Sequence, residues 1–379
     1  MKTNEKQKGL NEVVTAHVSR RIAERQDIVS RTMERFESEC KMAQDYIVAV
    51  GNEQRSEVTG KSISFKANER LTMSVGRTPF SLHPHAVGQI AEKVGVPAKY
   101  LRDLAEGSEW QRKLAAKILN DHTEWTQRDR LLVRTVDKQV RGVLSDSYRR
   151  MNSLQIVQAF INVALRYNAV ICDAFMNDTK IAFETILPEP ISVETPQNGE
   201  VVVFVGARFS TSDFGDGALD IRAFLLNGVC LNGMVRESCM RKVHLGKRLP
   251  DDLRLSADTY RKESAVIQSA VKDITHQLYR PENITKITAD IQAASSVDVD
   301  FRTEIQRLVK NNKLLKAEGE EVQKLLMENN PQNGTQGAST LWKLTQAITA
   351  HARNLDPVRT RELHEVSGEL MNRLREHKQ

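Results

Sequence analysis

The run Val201–Phe209, V-V-V-F-V-G-A-R-F, constrains the fold more than any other stretch of the chain. It is continuous rather than alternating, of strand length and rich in β-branched residues, so it reads as a buried central strand. The strands predicted around it are short and joined by tight turns. Leu131–Val136 and Val140–Ser145 flank Asp137-Lys138-Gln139, and Ala169–Met176 and Lys180–Leu187 flank Asn177-Asp178-Thr179; both connections have hairpin length. Tyr46–Val50, Ser62–Lys66 and Leu71–Val75 form a small meander, and Leu219–Leu226 is either a further strand or the lead into a helix. Runs of strands linked by hairpins predict an α+β fold with an antiparallel or mixed sheet, not βαβ winding.

Helices are predicted on both sides of this core. Apolar residues from Val13 to Phe36 recur at three- and four-residue steps and place a helix over 10–42. Pro84 opens a helix that runs to Gly95, Pro97 opens the next, and Trp110–Asn120 is amphipathic. Ser153–Tyr167 is a helix capped by Asn152 or Ser153. Beyond Leu255 only helices are predicted: 256–278, 283–294, 299–327, 340–353 and 357–376. The stretch Asn329–Ser339, N-N-P-Q-N-G-T-Q-G-A-S, has the composition of a flexible linker. The predicted organisation is an N-terminal helix (1–44), an α+β core (45–255), a helical extension (256–328), a linker (329–339) and a C-terminal helical hairpin (340–379).

Several functional classes find no support in the residues. No apolar stretch approaches the roughly 20 residues of a membrane span, and the polar Met1–Leu10 has no signal-peptide character, which predicts a cytoplasmic protein. Cys40, Cys172, Cys230 and Cys239 form no C-x-x-C pair and read as reduced, mostly buried thiols. Phosphate-loop, G-x-S-x-G and H-E-x-x-H motifs are missing, so the chain is read as a non-enzyme that needs no cofactor and no metal. His83 and His85 around Pro84 mark a helix start more simply than a metal site.

The segment from Ser210 to Arg248 is the most informative. An acidic loop, S-T-S-D-F-G-D-G, precedes an apolar stretch ending in V-C-L-N-G-M-V, and a basic tract comes next. Together with His83–Leu101 and the hairpin Leu131–Asn152, this pattern resembles the phage/plasmid-like proteins classed as domain of unknown function 932, over about residues 60–260. The motif residues of the segment are Asp213, Gly215, Gly217, Cys230, Asn232, Gly233 and His244; Thr211 and Asp213 depart from the family's Asn and Glu. The resemblance implies a mobile-element context and an architecture related to phage single-strand annealing proteins of the RecT/Redβ type.

The basic residues point the same way. The net charge is only +6, but from Arg128 to Arg150 seven Lys/Arg stand against three Asp, and from Arg236 to Arg248 five against one Glu. Arg128, Arg130, Arg134, Arg141, Arg149 and Arg150 around the hairpin, with Arg236, Arg241, Lys242, Lys247 and Arg248, would track phosphates, and Tyr148 would stack on a base. The expected partner is single-stranded DNA, bound and annealed by a homo-oligomer whose terminal helices form the subunit contacts. Two alternatives stand beside this: a phage factor that engages a protein partner through its helical ends, and a nuclease holding a metal on Asp213, Asp216 and Asp220.

Overall fold

The computed structural model describes residues 2–51, 62–126, 130–146, 153–242 and 256–376, and the side chains of most of them. In chain order the elements are α1 (Lys2–Met42), β1 (Ala43–Ala49), β2 (Ile63–Ala67), β3 (Leu71–Val75), β4 (Thr78–Leu82), α2 (Pro84–Lys93), α3 (Ala98–Glu106) and α4 (Glu109–Trp125). Next come β5 (Arg130–Val136), β6 (Gln139–Ser145), α5 (Ser153–Arg166), β7 (Val170–Met176), β8 (Ile181–Ile186), β9 (Ile191–Thr195), β10 (Gly199–Thr211), β11 (Leu219–Asn227) and β12 (Gly233–Lys242). The last third is α6 (Ala257–Leu278), α7 (Pro281–Ala294), α8 (Phe301–Lys310), α9 (Lys316–Glu328), α10 (Leu341–Ala352) and α11 (Pro357–Glu376). With 53% helix and 25% strand among the described residues, the fold is α+β, flanked by an N-terminal helix and C-terminal helices.

The strands form two sheets. The first has the order β1-β5-β6-β4-β3-β2 and is antiparallel except where β4 runs parallel to β6. The turn Asp137–Lys138 makes the β5–β6 hairpin, with Asp137 at φ +50°, a conformation Asp tolerates better than bulky residues. One face of this sheet buries Val48, Met73, Leu131, Val133 and Val143 against Ala86 and Ile90 of α2, Leu101 of α3 and Leu119 of α4.

The second sheet runs β12-β11-β10-β8-β7, with β9 on the N-terminal half of β10. The predicted central strand is central: β10 pairs with β8, β9 and β11. Its odd-numbered residues Val203, Val205, Ala207 and Phe209 join a large core with α5, α6 and the C-terminal helices. Its even-numbered Val202 and Phe204 pack with Phe224, Leu226 and Val235 against Val14 and Val18 of α1. Burial on both faces accounts for the lost alternation.

Three expectations about the chain's course are corrected. The predicted helix 299–327 is two helices, α8 and α9, separated by a turn in which Asn312 has φ +55°. The first strand of the expected meander, 46–50, does not pair with the other two: it lies in β1, beside β5 at the opposite edge of the first sheet from β2. The stretch 329–339 is a fitted strap and not a free linker. Asn198 Nδ2 donates to Gln336 O at 2.9 Å, Thr340 Oγ1 donates to Asn198 Oδ1 at 2.7 Å, and Lys343 Nζ donates to Gly337 O at 3.0 Å. Asn, Gln and Gly supply hydrogen-bonding groups and positive φ as readily as they supply flexibility, so composition alone does not separate the two. The next helix, α10, is buried at every position from Leu341 to Ala350 and forms part of the large core.

Candidate nucleic-acid interface

The open face of the first sheet is closed by the acidic glycine loop between β10 and β11. Gln89 of α2 holds the contact from both ends: its Nε2 donates to Phe214 O at 2.8 Å while its Oε1 accepts from Val143 N of β6 at 2.8 Å. His85 Nε2 adds a second donor to Phe214 O at 3.0 Å, and His83 Nδ1 caps α2 by accepting from His85 N. The loop curls on Ser212, whose Oγ accepts from Phe214 N and Asp216 N. Gly215 has φ +74°, which L side chains rarely adopt, and a Cβ there would press on Leu144 Cδ2 at 2.8 Å and on Gln89 Nε2 at 2.9 Å. The motif glycine therefore serves close approach of loop to sheet.

This clasp decides the fate of the predicted arginines. Arg134 faces the loop and is 0% exposed. Its guanidinium makes a fork with Asp45 (Nε–Oδ1 2.7 Å, Nη2–Oδ2 2.9 Å) and its Nη1 donates to Asp213 O. Arg141 is paired with Glu39 of α1, and Arg236 with Asp290 of α7 at 2.5 Å. The expectation that these three track phosphates on an open surface is corrected: each is tied to a carboxylate on another element and largely withdrawn from water. Arg134 and Leu132 alternate with Val133 along β5, but alternation does not say what covers the face that carries them.

Replacing Arg134 by leucine is expected to cost about 2–3 kcal/mol of stability, since its charge-assisted bonds go and Asp45 is left alone. Nucleic-acid affinity, measured where the variant remains folded, is expected to stay at the wild-type value.

Arg130, at the open end of the β5–β6 hairpin, is half-buried and has no hydrogen-bond or ion-pair partner among the described residues. Arg241 and Lys242 lie on β12 opposite Asp220 and Leu219. Arg128, Tyr148, Arg149, Arg150, His244, Lys247 and Arg248 lie outside the described residues. The described residues at the neighbouring strand and helix ends have definite places. Ser145, the last residue of β6, pairs with Leu131 beside Arg130. Ser153, the first of α5, donates from Oγ to Asp213 Oδ1 in the clasp loop. Lys242 pairs with Leu219, two residues after Gly217 of that loop. At the same end of the sheet Gly51 N donates to Thr123 O, fixing the end of α4 beside β1, and there Trp125 is 73% exposed. Sequence reasoning missed Trp125, because spacing does not distinguish an exposed tryptophan at a helix end from a core one.

Asn232, Cys230 and Gly233 are built into the fold. Asn232 Nδ2 donates to Asn333 O and Gln346 O, both at 3.1 Å, tying the β11–β12 turn to the strap and to α10. Burial pushes the Cys230 thiol up to about 12, so it carries no thiolate at neutral pH. A Cβ at Gly233 would lie 2.7 Å from His364 Cε1 and 3.0 Å from Phe224 Cε2, so a larger residue there would crowd two buried rings. The three aspartates considered for a metal have separate partners: Asp213 with Ser153, Asp216 with Thr179 and Lys180, Asp220 with Arg222. Among the described residues no three His, Cys, Asp or Glu side chains gather as metal ligands. Among the described residues, no helix is long and apolar enough to cross a membrane.

No protein-family model matches this chain, no curated protein is significantly similar to it in sequence, and no solved structure is significantly similar to it in fold.

Proposed function

We propose that the chain is a nucleic-acid-binding protein of a mobile element, of the phage/plasmid-like kind its motifs resemble, that holds single-stranded DNA without catalysing a reaction on it. The observation that carries this reading is that Ser153 of α5 bonds to Asp213 of the glycine loop, that Lys242 of β12 pairs just beyond that loop, and that Arg130, which has no ion-pair partner among the described residues, lies at the same end of the first sheet as the exposed Trp125. Cations beside a bare aromatic ring are what a single strand requires: phosphates are neutralised and a base stacks, and neither contact reads sequence. The interface so defined is smaller than the row of arginines in the sequence. It excludes Arg134, Arg141 and Arg236 and lies at an end of the first sheet, not across its face. Annealing would result if copies align these ends along one strand, leaving base edges free to pair.

The test is fluorescence anisotropy with a labelled single-stranded oligonucleotide over a salt series. The combined replacement of Arg149, Arg150, Lys247 and Arg248 by alanine is expected to flatten the slope of log K against log salt by about 3, at about 0.7 for each phosphate no longer neutralised. Trp125→Ala is expected to weaken binding by about 1–3 kcal/mol with the slope unchanged. Absence of binding at low salt, or an affinity indifferent to salt, would remove the proposal.

A further inference from the structure

A cavity of about 250 Å³ lies against the second sheet, where α1, β7, β8 and the β11–β12 turn meet the C-terminal pair α10–α11. It holds far more than one water molecule. Its charged lining is unbalanced: Arg21, Arg25, Arg353 and Arg361 face only Asp173 and Glu184. Glu184 is moreover engaged by Arg208, at 2.6 and 2.9 Å. Part of the cation set is held in place by the fold. Arg25 is bonded to Asp173, and Arg353 donates to Cys230 O and Asn333 Oδ1, both at 2.8 Å. Arg361 lies with its Cζ 4.4 Å from the centre of the Phe175 ring.

Two donors are left over. Arg21 has no hydrogen-bond or ion-pair partner among the described residues. Arg361 Nε is buried and unpartnered. Burial, reinforced by neighbouring arginines, works against the charged form of both Arg353 and Arg361. His364 accepts at Nδ1 from Arg208 at 3.4 Å, so the neutral ring carries its proton on Nε2 and remains a donor. Guanidinium groups crowded into a half-buried space repel one another, and an unmatched buried donor loses the hydrogen bonds that water gave it. Folding alone does not favour such an arrangement; a bound anion does.

We propose that this cavity binds a small phosphate monoester. An excess of two positive charges calls for a dianion, and a phosphate monoester carries about −1.5 to −2 at neutral pH. Arginine forks match phosphate oxygens in pairs. Ile22, Phe224, Leu226 and Leu355 give the cavity an apolar side that would take the organic body of the ligand. The site is independent of the single-strand interface, which uses neither α11 nor any of these arginines.

The full-length chain is titrated by calorimetry at low salt with inorganic phosphate, glycerol 3-phosphate and adenosine 5′-monophosphate, with adenosine as the uncharged control. Saturable one-to-one binding of at least one of the two monoesters, and none of adenosine, is expected. Arg21→Gln removes no bond that the fold needs, and is expected to weaken that binding about 10- to 100-fold, as for loss of one charge-assisted hydrogen bond; Arg21→Glu is expected to abolish it. Single-stranded DNA affinity is expected to be the same in both variants, so this result and that of the strand-binding test fail separately. The melting temperature supplies a second reading. Phosphate at millimolar concentration is expected to raise it in the wild type and not in Arg21→Glu. Failure of both monoesters to bind, equal binding by wild type and Arg21→Glu, or an equal rise in melting temperature would overturn the assignment, the last being the general salting-out effect of phosphate.

Discussion

Gly368→Ala is expected to unseat the C-terminal helix and to cost more than about 4 kcal/mol, the range reached only by severe core substitutions. Helix propensity argues the opposite sign, since alanine inside a helix is favoured over glycine by about 1 kcal/mol. Crowding reverses it. A Cβ at position 368 would lie 1.6 Å from Val235 O and 2.7 Å from Val235 C. Both are backbone atoms of β12, so no side chain can rotate away. The helix must lift from the strand, and lifting it uncovers Leu363, Val366, Leu370 and Met371, all buried in the large core. Equilibrium unfolding in urea checks this: a midpoint equal to the wild type would mean that α11 does not lie directly on β12. The same lift would open the arginine-lined cavity, whose wall includes Thr360, Arg361 and His364 of α11.

Glu184→Gln is expected to be nearly as damaging, at about 3–5 kcal/mol, because it leaves the Arg208 guanidinium buried without its main counter-charge. Glu184 and Arg208 are opposite one another on β8 and β10 and are both buried. Glu365 stands 3.9 Å from Arg208, too far to replace the missing fork. Burial by itself would raise the Glu184 carboxyl; Arg208, then Arg361 and His364, outweigh it and hold it down to about 2. The carboxylate thus adds stability that is present above its unfolded value of about 4.5 and is lost as pH falls toward 2. His364 acts in the same direction over a higher range. Burial first, then Arg208, lowers its imidazole to about 3. Below pH 6.5 the unfolded chain therefore binds a proton that the folded chain refuses, and stability falls by up to about 1.4 kcal/mol per pH unit down to pH 3. Urea titrations at pH 7, 5.5 and 4 are expected to show loss beginning between the first two. In His364→Gln the difference between pH 7 and 5.5 is expected to shrink, and an unchanged difference would assign the acid sensitivity to other groups.

The arginines show where sequence reasoning stops. Arg134, Arg141 and Arg236 form a plausible phosphate-binding row in one dimension, and in the fold they meet Asp45, Glu39 and Asp290, residues 89, 102 and 54 positions away in the chain. Neither charge density nor alternation contains that information, because an ion pair between distant elements depends on which elements dock. The strap 329–339 escapes a sequence reading for a related reason: its polar groups are the same whether they bond to water or to Asn198.

What the sequence determined by itself was local and periodic: the buried strand at 201–209, the hairpins, the helix begun by Pro84, and the succession of helices after Ser256. These depend on backbone preference and on the two-residue or 3.6-residue repeat of apolar side chains, which neighbours in the chain suffice to express. Tertiary structure alone decided that the glycine loop closes the first sheet, that α10 lies inside the core, and that four arginines from α1, the end of α10 and α11 share one cavity. Each of these is a meeting of segments far apart along the chain, and burial, pairing and repulsion are properties of such meetings rather than of the residues that take part in them.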